Sequence, residues 1–228
     1  MVSIFHATNA SALNHLRALM RSFVAWHHTA HPEDRVLIDR YFAAETFERE
    51  LADLPGPYVL RPLWPARDHA ARDHALTEVT AQPAFAGAEG YYCPYNLHLR
   101  AHGPREGLRE APPPAAVAGL LIAYHGGVPA GCVALRDHGR DSDGTGVCEM
   151  KRLFVPDAFR GMGVGRALVR RAIAEATQAG YARMRLETSK RQTEAIRLYE
   201  KTGFKRIPPN DAVPMELASW LIYFERRL

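Results

Sequence analysis

Residues 147–173 read VCEMKRLFVPDAFRGMGVGRALVRRAI, and the hydrophobic period changes halfway along. Val147 to Val155 is short, rich in apolar residues and closed by Pro156, which reads as a strand. Leu168, Val169, Ala172, Ile173 and, just beyond, Ala176 recur at helical spacing. Between them lies Arg160-Gly161-Met162-Gly163-Val164-Gly165. Alternate glycines remove side chains where a ligand must approach the backbone. The first amides of the following helix lack partners within it and point out of its positive end, an arrangement that suits phosphate. Arg160 and Arg166 add positive charge. A dinucleotide fingerprint fails, because its last glycine falls on Arg166 or Leu168, and no Walker loop is present. Taken alone, the loop reads equally well as a tight turn whose glycines only permit helix–strand packing.

Working outward, Gly180 ends the helix, and Arg183 to Thr188 alternates as a strand. Ser189 and Gln192 form a capping box for a helix that carries Ile196 and Tyr199 and stops at Gly203. Phe204 to Ile207 and Ser219 to Glu225 are the last strands. Upstream, Val117 to Tyr124 is a strand, His125-Gly126-Gly127 a hairpin turn and Pro129 to Leu135 the return strand, followed by a polar loop over Asp137 to Gly146. Met1 to about Tyr58 reads as helical. Asn9 or Ser11 caps a helix with Leu13, Leu16, Met20, Phe23 and Val24 on one face. Pro32 starts a further stretch in which Ile38, Tyr41, Phe42 and Phe47 continue the stripe, and Leu54-Pro55-Gly56-Pro57 ends it. Residues 61–114 hold eight of the 16 prolines and no clear pattern beyond a short helix over Pro65 to Val79. No internal repeat is visible.

Composition narrows the function classes. The chain has 228 residues, 47% of them hydrophobic and 24% charged, with a net charge of +4, which is ordinary for a folded globular protein. A membrane span needs about 18 or more consecutive apolar residues, and the best run, Val117 to Tyr124, is far shorter. No secretory signal is expected. Of the 29 basic residues 25 are Arg, but they are spread from Arg17 to Arg227 among acids, so no nucleic-acid-binding face is expected. Cys93, Cys132 and Cys148 form neither a disulfide framework nor a zinc pattern, which makes a reducing, cytoplasmic setting the default. His27, His28 and His31 cluster, but a helix places only 27 and 31 on one face and no third ligand joins them, so they read as exposed polar residues and no metal is expected.

Three segments together resemble the GNAT superfamily of acetyl-coenzyme-A-dependent N-acetyltransferases: Arg160, Gly163 and Gly165 of the loop; Leu198, Tyr199, Gly203 and Phe204 downstream; and Glu149 on the strand before the loop. Phe47 to Gly56 and Cys148 to Leu153 are similar to segments of one bacterial branch. The resemblance covers about Val117 to Ile207. It implies an α/β (α+β) fold: a single domain with a mixed, mostly antiparallel sheet of six or seven strands flanked by helices, with a long insertion before the second strand. Residues 1–58 would be its N-terminal helical part, 59–114 the insertion and 115–228 the acetyl-coenzyme-A-binding core. It also implies direct attack of a small-molecule or protein amine on acetyl-coenzyme A.

The same resemblance assigns roles. Glu149 would be the general base, directly or through a water. Its alternative is a structural pair with Lys151, which lies on the same strand face, or with Arg152, which does not. Pairing with Lys151 would lower its pKa, and burial would raise it. The backbone amide of Leu153 would stabilise the oxyanion, and Leu153, Phe154 and Val155 would run beside the pantetheine arm, helped by a bulge. Arg160, Gly161, Met162, Gly163, Val164, Gly165 and Arg166 would hold the pyrophosphate. Tyr199, a phenol with a reference pKa near ~10, would protonate the departing thiolate; the alternative is a packed core tyrosine. Gln192 stands where many relatives carry an Asn that touches the cofactor arm. The insertion would shape the acceptor site with Tyr91, Tyr92 and Tyr95, or serve as a surface flap or oligomer contact. A homodimer is left open. The competing function is a non-catalytic acyl-coenzyme-A sensor or interaction module.

Overall fold

The computed structural model describes residues 1–61, 117–209 and 214–228. The insertion, with Tyr91, Tyr92, Tyr95, Cys93 and the expected helix at its start, lies outside them. The chain begins with strand β1 (Val2–His6) and then enters α1 (Ala10–Ala30). Asn9 caps α1, its Oδ1 accepting from the Ala12 amide at 2.9 Å. The helices α2 (Arg35–Tyr41) and α3 (Ala44–Ala52) follow, and the short strand β2 (Val59–Leu60) pairs with β3 (Val117–Ala118).

Next come β4 (Leu120–His125), β5 (Val128–Arg140), β6 (Gly146–Phe154), α4 (Val164–Gln178), β7 (Arg183–Ser189), α5 (Thr193–Lys201), β8 (Lys205–Ile207), α6 (Met215–Trp220) and β9 (Leu221–Arg227). Seven strands form one sheet in the order β1-β4-β5-β6-β7-β9-β8. Every pairing in it is antiparallel except β6 with β7. Alternation along β4 sorts the core onto two faces. Leu120 and Ile122 join the N-terminal helices and α6 on one face, and Leu121 and Ala123 join α4 and α5 on the other.

Two local features position the site. In the β5–β6 ladder, Cys132 faces Phe154 and Ala134 faces Lys151, so β6 carries one extra residue: a bulge. Arg152 sits in it with φ +57°, the only positive-φ non-glycine among the described residues. Across from it, β6 pairs with β7 only from Val147 to Glu149. Beyond Glu149 the two strands part, and β7 continues on β9 alone as far as Ser189.

Several expectations need correcting. The N-terminal region opens with a strand, not a helix. The loop expected over Asp137 to Gly146 is shorter, because β5 runs to Arg140 and β6 starts at Gly146. Asp141 and Asp143 in the remaining loop pair with Arg183 on β7, which draws it onto the sheet. A helical turn, α6, stands ahead of β9.

Candidate functional site

The parted ends of β6 and β7 open between the N-terminal helices and α4–α5. A cleft of about 550 Å³ runs from Leu153, Phe154 and Val155 over Arg160, Gly161, Gly163, Val164, Gly165 and Arg166 to Gln192 and Leu198. Met162 is exposed on the same loop. The left-handed Gly163 (φ +82°) caps α4 without a side-chain bond, so no side chain occupies the first-turn amides. A methyl group added at Gly161 or Gly163 would meet nothing within 4 Å, so the backbone is open to a ligand there. Arg160 is braced by its own contacts. Its Nε donates to the Val155 carbonyl at 3.1 Å, its Nη1 pairs with Asp157 at 2.9 Å and its guanidinium stacks 4.5 Å from the Trp26 ring. Open amides at the positive end of a 15-residue helix, flanked by two arginines, fit a pyrophosphate.

At its inner end the cleft meets a smaller cavity of about 40 Å³, with Phe23, Leu153 and Gln192 on both. Tyr199, Lys151, Glu187, Tyr41, Phe42, His27 and Trp220 line it further. Leu153 and Tyr199 therefore come together on the wall of one cavity. Tyr199 is 5% exposed, its ring lies against Phe204 and Phe224, and burial raises its hydroxyl well above the ordinary value, so it stays protonated.

Glu149 is buried and doubly engaged: it accepts from Arg136 Nε on β5 and from Lys151 Nζ at 3.2 Å. Burial alone would raise its carboxyl, but Arg136 and Lys151 outweigh that and hold it down at about 2. Burial would lower the Lys151 ammonium, yet Glu149, Tyr41 and Glu187 keep it well above its ordinary value. The pairing with Lys151 follows from strand alternation. Arg136, 13 residues upstream, carried no such signal.

Two groups went unread in the sequence. Glu50 on α3 takes a two-point ion pair from Arg152, with Nε and Nη2 at 3.0 and 2.7 Å, and a hydrogen bond from Tyr58. The Arg152 guanidinium also faces the Phe42 and Phe47 rings at 5.1 and 5.6 Å. Its one signal was a charge set on the apolar face of α3 beside Phe47 and Leu51. The other is His27, which is 2% exposed rather than the expected exposed residue. Phe23, Trp26 and Phe42 surround it, and Gln192 Nε2 donates to its Nε2 at 2.8 Å. The expected capping box fails for the same reason. Thr188 and His27 engage the Gln192 side chain, leaving α5 without a side-chain cap. Among the described residues no cluster of His, Cys, Asp and Glu suits a metal ion, and no helix is long and apolar enough to cross a membrane.

Comparison with known proteins adds a lineage. The acetyltransferase (GNAT) family pattern matches residues 85–204, starting inside the stretch read as an insertion. An uncharacterized N-acetyltransferase of Schizosaccharomyces pombe is 37% identical over 49% of this chain and 60% of its own length. Another from Escherichia coli is 34% identical over 38% of this chain and 50% of its own. The chain thus spans about half the length of these relatives. A GNAT-family acetyltransferase from Staphylococcus aureus superposes with a TM-score of 0.54 at 14% identity, covering 100% of this chain and 99% of that one. A paia N-acetyltransferase from Thermoplasma acidophilum, solved with coenzyme A, gives 0.53 at 12% over the same shares. These two share the fold.

Proposed function

Since the chain belongs to the GNAT acetyltransferase family, we propose that it is an acyltransferase that transfers an acetyl group from acetyl-coenzyme A to a primary amine of a small molecule or a protein, by direct attack in a ternary complex. The observation that carries this reading is that the cleft over the open amides of α4 and the cavity lined by Tyr199 share Phe23, Leu153 and Gln192 beside the parted edge of β6. Residues 160–166 would hold the pyrophosphate, and Leu153 to Val155, with Gln192, would line the arm. Acetyl-coenzyme A supplies the thioester carbonyl that the amine attacks. The Leu153 amide, on the side of β6 that has no β7 partner beyond Glu149, would donate to the carbonyl oxygen as it gains charge.

Tyr199 would give its proton to the departing sulfur. Overall an ammonium and a thioester become an amide, a thiol and one released proton. Glu149 does not line the cavity and would act on the reaction only indirectly, by holding Lys151, which does line it. A cytoplasmic setting belongs to the same proposal, supported by the free thiols Cys132 and Cys148.

The test is release of coenzyme A thiol from acetyl-coenzyme A over polyamines, aminoglycosides, amino acids and lysine peptides, against a control without acceptor. Amine-dependent release is expected, and Glu149→Gln and Tyr199→Phe should each slow it. The fully engaged Glu149 carboxylate favours the second reading, an acyl-coenzyme-A-binding module. Acetyl-coenzyme A binding without turnover on any amine would establish that reading instead.

A further inference from the structure

Glu187 on β7 is a second buried carboxylate, and it occupies a different position from Glu149. Its side chain is 4% exposed. One oxygen, Oε1, accepts from the Tyr41 hydroxyl at 2.6 Å and from Lys151 Nζ at 3.3 Å. The other, Oε2, has no hydrogen-bond partner among the described residues. A buried carboxylate oxygen without a donor carries the full cost of its lost hydration, and such an atom calls for an explanation. Glu149 offers no such vacancy, since both of its oxygens are engaged, and it does not line the cavity. Glu187 does line it, together with Leu153 and Tyr199.

We propose that Glu187 is the acceptor's anchor: its Oε2 takes a hydrogen bond from a primary ammonium seated in the 40 Å³ cavity and then receives that group's proton. This deepens the N-acetyltransferase reading and rests on it. As the N–H bond breaks, the O–H bond forms on Oε2 and the electron pair stays on nitrogen, ready for the thioester carbon near Leu153. Tyr41 and Lys151 fix the carboxylate from its other oxygen, so Oε2 keeps its orientation. The cavity has room for about three water-sized groups, enough for a primary ammonium and the first carbons of an unbranched stem that continues into the cleft. Of the rings on its wall, Tyr41 already faces Lys151 at 5.9 Å and Phe42 faces Arg152 at 5.1 Å, which leaves Trp220 to meet a further cation.

The test uses the full chain with coenzyme A present, titrated by calorimetry with n-butylammonium and, as neutral isostere, n-butanol. Wild type should bind the ammonium about tenfold or more tighter than the alcohol, the scale of one charge-assisted hydrogen bond. Glu187→Gln should erase that preference while its coenzyme A affinity matches wild type. A Glu187→Gln protein that keeps the preference overturns the proposal. So does a wild type that shows none, a result that stands even if the variant does not fold. Coenzyme A binding is scored separately. A wild type that prefers the ammonium yet never binds coenzyme A refutes the transferase reading and keeps the cation site.

Discussion

His27 sits among Phe23, Trp26 and Phe42, and that burial, with His31, His28 and Arg152 nearby, pushes it down to about 3 from a reference near 6.5. Between those two values the unfolded chain binds the proton and the folded one does not, so stability falls as pH drops from 6.5 toward 3. One such group contributes a slope of about 1.4 kcal/mol per pH unit. His138, lowered to about 4 by burial, adds to it, so the difference between wild type and His27→Gln isolates His27. Urea melts at pH 7.0 and 5.5 should show wild type losing about 1 kcal/mol more than the variant; equal losses would mean that His27 titrates normally. Glu149 acts in the same direction only below its reference value of 4.5, outside that range. At Tyr199 the expected effect is kinetic. Tyr199→Phe keeps the ring between Phe204 and Phe224 and removes the proton donor, so kcat should fall by about 100-fold with acetyl-coenzyme A affinity unchanged. A matching loss of affinity would make Tyr199 a packing residue.

Among the elements, β3 and β4 look like one apolar run but are broken at Gly119. A β-carbon there would lie 2.1 Å from the Leu135 carbonyl oxygen, where the backbones cross. Gly119→Ala should therefore cost about 1–3 kcal/mol or more, read as a lower urea midpoint with an unchanged slope. A neutral result would mean that β5 shifts freely. The same run shows what local pattern conveys. Strands β4 and β6 and helices α4 and α5 were legible because each has one dominant period and a glycine or proline just past its end, and β7 because its alternation follows Gly180. Strand β1 was hidden by the helical pattern directly after it, and α6 is only six residues long. At the site, Tyr199, Leu153 and the glycine loop were readable because each belongs to a contiguous motif. Glu50 and Arg152 meet across 102 positions, and His27 and Gln192 across 165, distances at which no spacing rule operates.

For the molecule as a whole, the Glu50–Arg152 pair fastens the N-terminal helices to the bulge in the central sheet. It holds a non-glycine residue at φ +57°, a conformation that costs about 1–2 kcal/mol. Glu50→Gln removes the carboxylate that takes the two-point pair from the buried Arg152 guanidinium and should destabilise by about 3–5 kcal/mol. The paired replacement Glu50→Leu with Arg152→Met should recover much of that in chemical melts. Equal destabilisation by single and double variants would show that the pair also sets the backbone. Glu50 thus supports the site from the opposite layer. The parted strands carry a further consequence for the sheet itself. Between β6 and β7 the ladder stops at Glu149, leaving the rest of that edge of β6 without a β7 partner. An amide-bearing chain laid against β6 would complete that ladder as a borrowed strand, so occupancy of that edge becomes a term in folding. The protein should then gain stability in proportion to the logarithm of ligand concentration. Amide-exchange protection should rise first at Leu153 to Val155, making the small molecule as much a part of the architecture as of the chemistry.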